Sequence, residues 1–361
     1  MVETIEWAEG RVRVLDQSQL PLIVEYIDCY DYHVVADTIR ELKIRGAPAI
    51  GIATAMGAAL GAQDIRATSY EEFAQKIEDV FSVFLATRPT AVNIRWAVER
   101  LRGLIQKNKD RTVDELKSLL VQESETIKRE DIEINKAIGR WGAEFIQDGD
   151  TIITHCNAGS LATGGYGTAT GPIRTAVEQG KNIQVIADET RPILQGARLT
   201  AWELAQDKIP VTLISDNAAG ALLKKGEINL AIVGTDRTVR NGDVANKIGT
   251  YPLSVLCREH NVPFYVAAPL SSIDFTLESG EYIEIEERTP EEVTTCGGVR
   301  IAPVDIKVRN IAFDVTPSRF ITAIFTEKGA FRPSEIRHLA EEGVSIDELR
   351  ITLNHIKRQN S

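Results

Sequence analysis

The chain is poor in the residues that metal clusters and disulfide frameworks need. Its 361 residues include only 4 cysteines, 5 histidines and 2 methionines, and aromatic residues make up 6% of the total. Cys29, Cys156, Cys257 and Cys296 are scattered, with no C-x-x-C pair and no zinc-ligand spacing, so a zinc ribbon, a thioredoxin-type motif and a disulfide scaffold are not expected. In a reducing compartment they are free thiols, and buried packing is the usual fate of such residues. Basic residues are also in deficit: 41 Lys and Arg stand against 52 Asp and Glu, a formal net charge of -11. That balance argues against a nucleic-acid partner, because counterion release needs clustered Lys and Arg. Any anion bound here should be small and locally caged. No apolar run approaches a membrane-spanning length, and "MVETIEWAEGRVRVLD" lacks the basic and apolar regions of a secretory signal. A cytoplasmic location with no membrane partner is the expectation. Internal repeats, low-complexity tracts and Pro/Ser-rich linkers are missing too.

What is present is an ordinary globular composition, 43% hydrophobic and 26% charged, in a chain long enough for two cores. "RVRVL" and "PLIVEYI" alternate as strands of a small antiparallel sheet do. The pattern then changes to a 3.6-residue period through "YHVVADTIREL", "APAIGIATAMGAALGA", "YEEFAQKIEDVFSVFLA", "AVNIRWAVERLRGLIQ" and the long stretch beginning "VDELKSLLVQESETIKRE". Residues 1–147 therefore read as a mostly helical domain with a small antiparallel sheet. Over 148–361, "TIITHC", "IQVIA", "VTLIS", "LAIVG", "PFYVAAP" and "IAFDV" alternate with helical stretches. Such unbroken apolar runs suit strands buried on both faces. The fold class expected is α/β, with a C-terminal Rossmann-like open parallel sheet carrying helices on both faces, and a site in the loops after the strand carboxyl ends. The last thirty residues suggest two helices, with Ser334 and Ser345 as N-caps.

Four of those loops stand out. "THCNAGSLATGGYGTA" leaves its strand through His155 and Cys156 into small residues that let backbone amides approach a ligand. Gly165, Gly167 and Gly171 miss the dinucleotide fingerprint by one residue, so Asp188 as a ribose-binding acid is a weak alternative. Cys156 either carries thiol chemistry or fills a tight turn, and His155, alternating to the other face, reads as structural. In "ADETRPILQGARL" a helix should start near Gln195, which is placed to donate to a ligand oxygen, while Glu189 reads as a solvated turn residue. "SDNAAG" reads as a helix cap. The fourth loop, "VGTDRTVRNGDVANKIGT", has far more charge than a turn needs. Asn246 and Lys247 fall at an expected helix start, where amides and an ammonium suit a phosphate. Asp236 follows the strand directly; apolar surroundings and a nearby phosphate would raise its pKa and favour proton donation. Asp243 is an orienting partner at most. Upstream, Arg45 before Gly46-Ala47 and Arg88 in "TRPTAVN" lie at helix boundaries, as surface arginines or as a clamp for a phosphate or sugar.

Taken together, "IRGAPAIGIATA", "RPTAVN", "THCNAGSLAT", "YGTA", "DETRP", "QGARLTAWEL", "NGDVANKIGTYPL", "EEVT" and "FDVTPSRFITAIFTEKG" resemble the methylthioribose-1-phosphate isomerase family. The wider group includes ribose-1,5-bisphosphate isomerases and the alpha, beta and delta regulatory subunits of the translation-initiation nucleotide exchange factor. The resemblance spans nearly the whole chain. It implies an aldose-ketose isomerase of methionine salvage, a homodimer using neither metal nor nucleotide cofactor and acting on a sugar phosphate. Carried over by motif, Asp236 is the proton donor and Cys156 assists the transition state. Substrate contacts fall on Arg45, Gly46, Ala47, Arg88, Gln195, Asn246 and Lys247. The chain departs from the family's usual "GADR" in having Thr235 before the acid. A ribose-1,5-bisphosphate isomerase and a non-catalytic sugar-phosphate or nucleotide-sensing subunit are the rival readings.

Overall fold

The computed structural model describes residues 2–89, 91–341 and 344–357. Thr90, within "RPTAVN", and parts of the C-terminal stretch expected to be helical lie outside the described residues. The chain divides into two compact units, Met1–Glu133 with Ser160–Gly167, and Ile134–Gly159 with Thr168–Ser361.

In the first unit, β1 (Ile5–Ala8), β2 (Arg11–Leu15) and β3 (Tyr26–Cys29) form the expected antiparallel sheet. Only the end of "PLIVEYI" joins it; Leu22, Ile23 and Val24 are exposed. Four helices follow, α1 (Tyr32–Arg40), α2 (Ala47–Asp64), α3 (Tyr70–Leu85) and α4 (Val92–Lys107), and α5 (Val113–Ala143) begins here. Every residue of α2 from Ala49 to Ala62 is buried, so this helix has no polar face and sits in the middle of the unit's core. Small side chains make that possible. Its N-cap is Gly46, at φ +93°, and a Cβ there would lie 2.5 Å from the Ala162 backbone. No other residue type fits that turn without strain.

The second unit carries β4 (Thr151–Thr154), α6 (Thr170–Glu178), β5 (Gln184–Asp188), α7 (Ala201–Gln206), β6 (Val211–Ile214), α8 (Ala219–Lys224) and β7 (Leu230–Val233). Then come β8 (Arg237–Val239), β9 (Val244–Lys247), α9 (Thr250–Glu259), β10 (Phe264–Ala267) and β11 (Ile273–Asp274). A short ribbon, α10 (Glu291–Thr294) with β12 (Thr295–Cys296) and β13 (Val299–Arg300), precedes β14 (Phe313–Thr316), β15 (Ala323–Thr326) and β16 (Gly329–Phe331). The main sheet runs β16-β15-β10-β7-β4-β5-β6, parallel except for the edge strand β16. Alternate residues of one strand enter different cores. Ile152, Leu230, Ile232 and Tyr265 pack with Ile173 and Leu204, whereas Ile153, Ala231, Val233 and Phe264 pack with Leu223, Leu253 and Cys257. Helices therefore cover both faces, and the apolar runs of the sequence have their physical reason.

Two assignments change. "IAFDV" does not enter the main sheet: β14 pairs antiparallel with β9 in a second sheet ordered β11-β8-β9-β14. The strand that takes the expected place is the wholly buried "AIFT" of β15, whereas β14 is only partly buried. At the C-terminus, Pro333–Ala340 is a 3-10 helix opened by Arg332, not by Ser334. Ser345 precedes the short α11 (Ile346–Leu349) without a side-chain cap bond, and α12 (Leu353–Lys357) ends the described chain. No helix among the described residues is long and apolar enough to cross a membrane.

Candidate active site

Cys156 stands two residues past the end of β4, at φ +65°, a left-handed conformation costly for any side chain with a Cβ. Side chains from the turn after β5 and from the helix beyond it hold it there. The Cys156 amide donates to Thr190 Oγ1 (2.8 Å), whose hydroxyl donates to the Asp188 carbonyl (3.0 Å); the Cys156 carbonyl accepts from Thr200 Oγ1 at 2.6 Å. The thiol donates to Gln195 Oε1 at 3.4 Å, and both side chains are buried. Gln195 is the N-cap of a single π-helical stretch, Gly196–Thr200, that leads into α7 and delivers Thr200 to the Cys156 carbonyl. The next residue, Asn157, donates from Nδ2 to Glu203 Oε1 (2.6 Å) and Thr200 Oγ1 (3.1 Å), and Glu203 meets Arg174 at 3.2 Å. The small-residue loop is thus buttressed at its start.

Asp236 lies just before β8. Its amide donates to the Ala245 carbonyl at 3.0 Å, and Thr235 Oγ1 to the same carbonyl at 3.4 Å, which ties the acid beside Asn246. Its side chain is exposed, so the apolar surroundings expected from the sequence are not what the fold provides. Asn246 and Lys247 are not at a helix start: they close β9, which is held as a strand by ladders on both sides, Arg237 opposite Ala245 and Asp314 opposite Asn246. Pairing overrides the weak strand propensity of "VANK". Asn246 donates to Thr250 Oγ1 (3.0 Å), and the buried Lys247 ammonium donates to the Ala312 carbonyl (2.9 Å) and lies 4.2 Å from the centre of the Phe313 ring. The α9 N-terminus is occupied from within, because Asp314 accepts the amides of Gly249 (2.7 Å) and Tyr251 (3.0 Å). Burial raises the Asp314 carboxyl above its ordinary value against those two bonds.

The two strand ends meet. A Cβ on Gly234 would lie 2.4 Å from that of Ala158, so the chain leading to Asp236 runs directly against the Cys156 loop. The second unit thus brings together Cys156 with Gln195, and Asp236 with Asn246 and Lys247. In the first unit Arg45 is buried at the α2 entry beside Gly46 and Ala47, and half-buried Arg88 precedes α4, which starts at Val92 with Ala91 as its N-cap.

Several residues were read differently from sequence. Asp216 does not cap a helix; its carboxylate accepts the amides of Thr190 (2.7 Å) and Arg191 (2.8 Å) and shapes the "DETRP" turn. Asp243 accepts from Asn241, Gly280 and Ser318 and organises its own loop. Asp188 is turned inward onto His155 Nδ1 at 2.9 Å, away from any ribose-binding role. Its carboxyl is raised by burial; His155 is raised as well, since the bond and charge of Asp188 outweigh the opposing effect of its own burial. Both directions describe one coupled pair that keeps its bridging proton. His155, Asp188 and Asp216 place atoms of metal-ligating type within 4.8 Å of one another, but their geometry is that of hydrogen bonds, two of them to backbone amides. Thr190, Thr200 and Glu203 had no sequence signal beyond lying in recognisable motifs.

A family model for the Initiation factor 2 subunit family matches residues 43–333. A methylthioribose-1-phosphate isomerase of Syntrophotalea carbinolica is 55% identical over 339 residues, 94% of this chain and 98% of that protein. The crystal structure of 5-methylthioribose 1-phosphate isomerase from Pyrococcus horikoshii superposes with a TM-score of 0.89 at 47% identity, covering 94% of this chain and 95% of its own. A structure described as translation initiation factor eIF-2B, subunit delta, from A. fulgidus gives a TM-score of 0.85 at 45% identity, covering 93% and 97%. At that identity over nearly the whole length of both chains, the chain belongs to the methylthioribose-1-phosphate isomerase family, within the Initiation factor 2 subunit family.

Proposed function

We propose that this chain converts 5-methylthioribose 1-phosphate into 5-methylthioribulose 1-phosphate in methionine salvage, with Asp236 as acid and Cys156 as its thiol partner. The observation that carries the reading is the pairing of these two groups on adjoining strand ends in a chain 55% identical to a relative named for that activity. An ordinary aldose isomerase works on a free aldehyde. Here the anomeric oxygen is esterified to phosphate, so the ring must open by another route. Asp236 protonates the ring oxygen as the C1–O4 bond breaks, leaving positive charge at C1. Either the C2 proton leaves to a base and a proton returns at C1, or hydride moves from C2 to C1; in both cases the C2 hydroxyl loses its proton and becomes the ketone. Cys156 acts as the base or stabilises the developing charge.

Exposure suits an acid that must recover its proton after each turnover, whereas a buried thiol suits a step from which water is kept out. Asn246, Lys247 and Gln195 are substrate contacts in this reading, and so are Arg45, Gly46, Ala47 and Arg88. The enzyme works in the cytoplasm as a homodimer without nucleic acid. Val299, Ile301, Val304 and Ile306 are 66%, 60%, 75% and 48% exposed on one short stretch, an apolar surface suited to a second copy. Light scattering giving the mass of a single chain would remove the dimer.

Asp236→Asn tests the acid. Turnover of the sugar phosphate should fall by about two to four powers of ten, with substrate affinity retained by isothermal titration. Near-normal turnover would assign the proton to another group. Running the wild-type reaction in deuterated water separates the routes, since label at C1 marks proton transfer.

A further inference from the structure

The mechanism uses Cys156 and Lys247 but not the buried pair that lies between them in the fold. His155 is 1% exposed and Asp188 2%. The imidazole touches two different turns: Nδ1 meets Asp188 Oδ2 at 2.9 Å, and Nε2 meets the Ile248 carbonyl at 2.9 Å. A carbonyl only accepts, so Nε2 carries hydrogen and Nδ1 shares a single proton with Asp188. The ring lies against the bare Cα of Gly249, where a Cβ would come within 2.7 Å of Cε1. Ile248 and Gly249 directly follow Lys247, and His155 directly precedes Cys156. Asp188 reaches the same cysteine a second way, through its carbonyl, the Thr190 hydroxyl and the Cys156 amide. The other Asp188 oxygen, Oδ1, is buried without a hydrogen-bond partner among the described residues. Leaving such an atom unpaired is costly, so stability alone does not account for a carboxylate here.

We propose that His155 and Asp188 form a positioning dyad, a buried strut that sets the strained Cys156 turn at a fixed distance from the Lys247–Gly249 turn. Neither residue touches substrate; the dyad acts through the thiol on one side and the ammonium on the other. The inference rests on the isomerase reading for its kinetic consequence but not for its geometric one. A misplacement of about 1 Å in a reacting group can cost on the order of 100-fold in rate, and the imidazole joins these two turns directly.

The test uses Asp188→Asn, which keeps the size and one hydrogen bond, and His155→Gln, which keeps a donor toward Ile248. For each, kcat and KM are measured, and the rate of iodoacetamide alkylation at Cys156 is followed by peptide mass mapping. Expected are a fall in kcat on the order of 100-fold, and an alkylation rate at Cys156 changed by tenfold or more in order of magnitude, while unfolding stays cooperative. Unchanged kcat and unchanged Cys156 reactivity in a folded variant would reduce the dyad to core packing. Altered reactivity with no turnover even in the wild type would overturn the isomerase reading and leave the strut standing. Should both variants misfold, the wild type decides: with only 5 histidines in the chain, 15N spectra resolve His155, and a ring without hydrogen on Nε2 overturns the proposal.

Discussion

The Cys156 turn and the Asp236 turn follow neighbouring strands of one sheet, yet they are built on opposite principles. At Cys156 the backbone is in a left-handed conformation, and its amide, carbonyl and thiol are all fixed by side chains from β5 onward. At Asp236 the main-chain bond is to a neighbouring strand and the side chain faces outward. The first is strain held in place by burial. The second is an ordinary sheet extension that presents a carboxylate. The difference teaches that the thiol is set by a strained, buried turn and the acid by an ordinary strand extension, so substitutions around the two should behave unlike one another.

The largest expected effect comes from the Cys156 side. Cys156→Ala should lower turnover by about two to four powers of ten, and Thr200→Val, which changes no reacting atom, should still lower kcat on the order of 100-fold. Thr200→Val also removes the hydroxyl bond to the buried Cys156 carbonyl and should cost about 1–3 kcal/mol in urea unfolding. If the Val variant keeps full activity, the turn needs less support than its bonds suggest and the contrast fails. An intermediate effect belongs to the contact between the two turns. Gly234→Val forces a branched side chain against Ala158 and should cost about 1–3 kcal/mol, with both KM and kcat disturbed in steady-state assays. A change in KM alone would mean that the turns move independently. The smallest effect is expected on the far side of the β8–β9 hairpin, where Arg240 pairs with Glu278 at 2.7 Å with both side chains well exposed. Arg240→Ala should shift stability by about 0–1 kcal/mol and leave turnover alone; a large loss would show that the Asp236 loop is as finely buttressed as the Cys156 turn.

The same contrast explains what could be read from the sequence. The parallel strands were legible because burial on both faces leaves an apolar run, and Asp236 and Cys156 stood out as candidates because they follow such runs. The strand at Val244–Lys247 was not, since "VANK" has no strand signature and becomes one only through partners distant in the chain. Likewise "IAFDV" looked like a central strand, but its partial burial places it in the second sheet. The turn at Cys156 was hidden for a different reason: neither cysteine nor threonine favours a positive φ, so nothing local announces that Cys156 and Thr190 both adopt one. Asp188 and Asp216 were visible as acids, but their directions depend on which amide or imidazole the fold brings up, and composition does not encode that.

The buried α2 has a consequence for anyone diversifying this scaffold. A Cβ on Gly57 would fall 2.3 Å from the Phe84 ring, and one on Gly61 2.7 Å from Val80. In a saturation library the helix would therefore select on size before hydrophobicity: serine in place of alanine should survive where leucine does not. Randomised alanine and glycine positions between Ala49 and Ala62 would return a narrow alphabet of small residues, and larger ones would be recovered only together with trimming of a facing aromatic or valine.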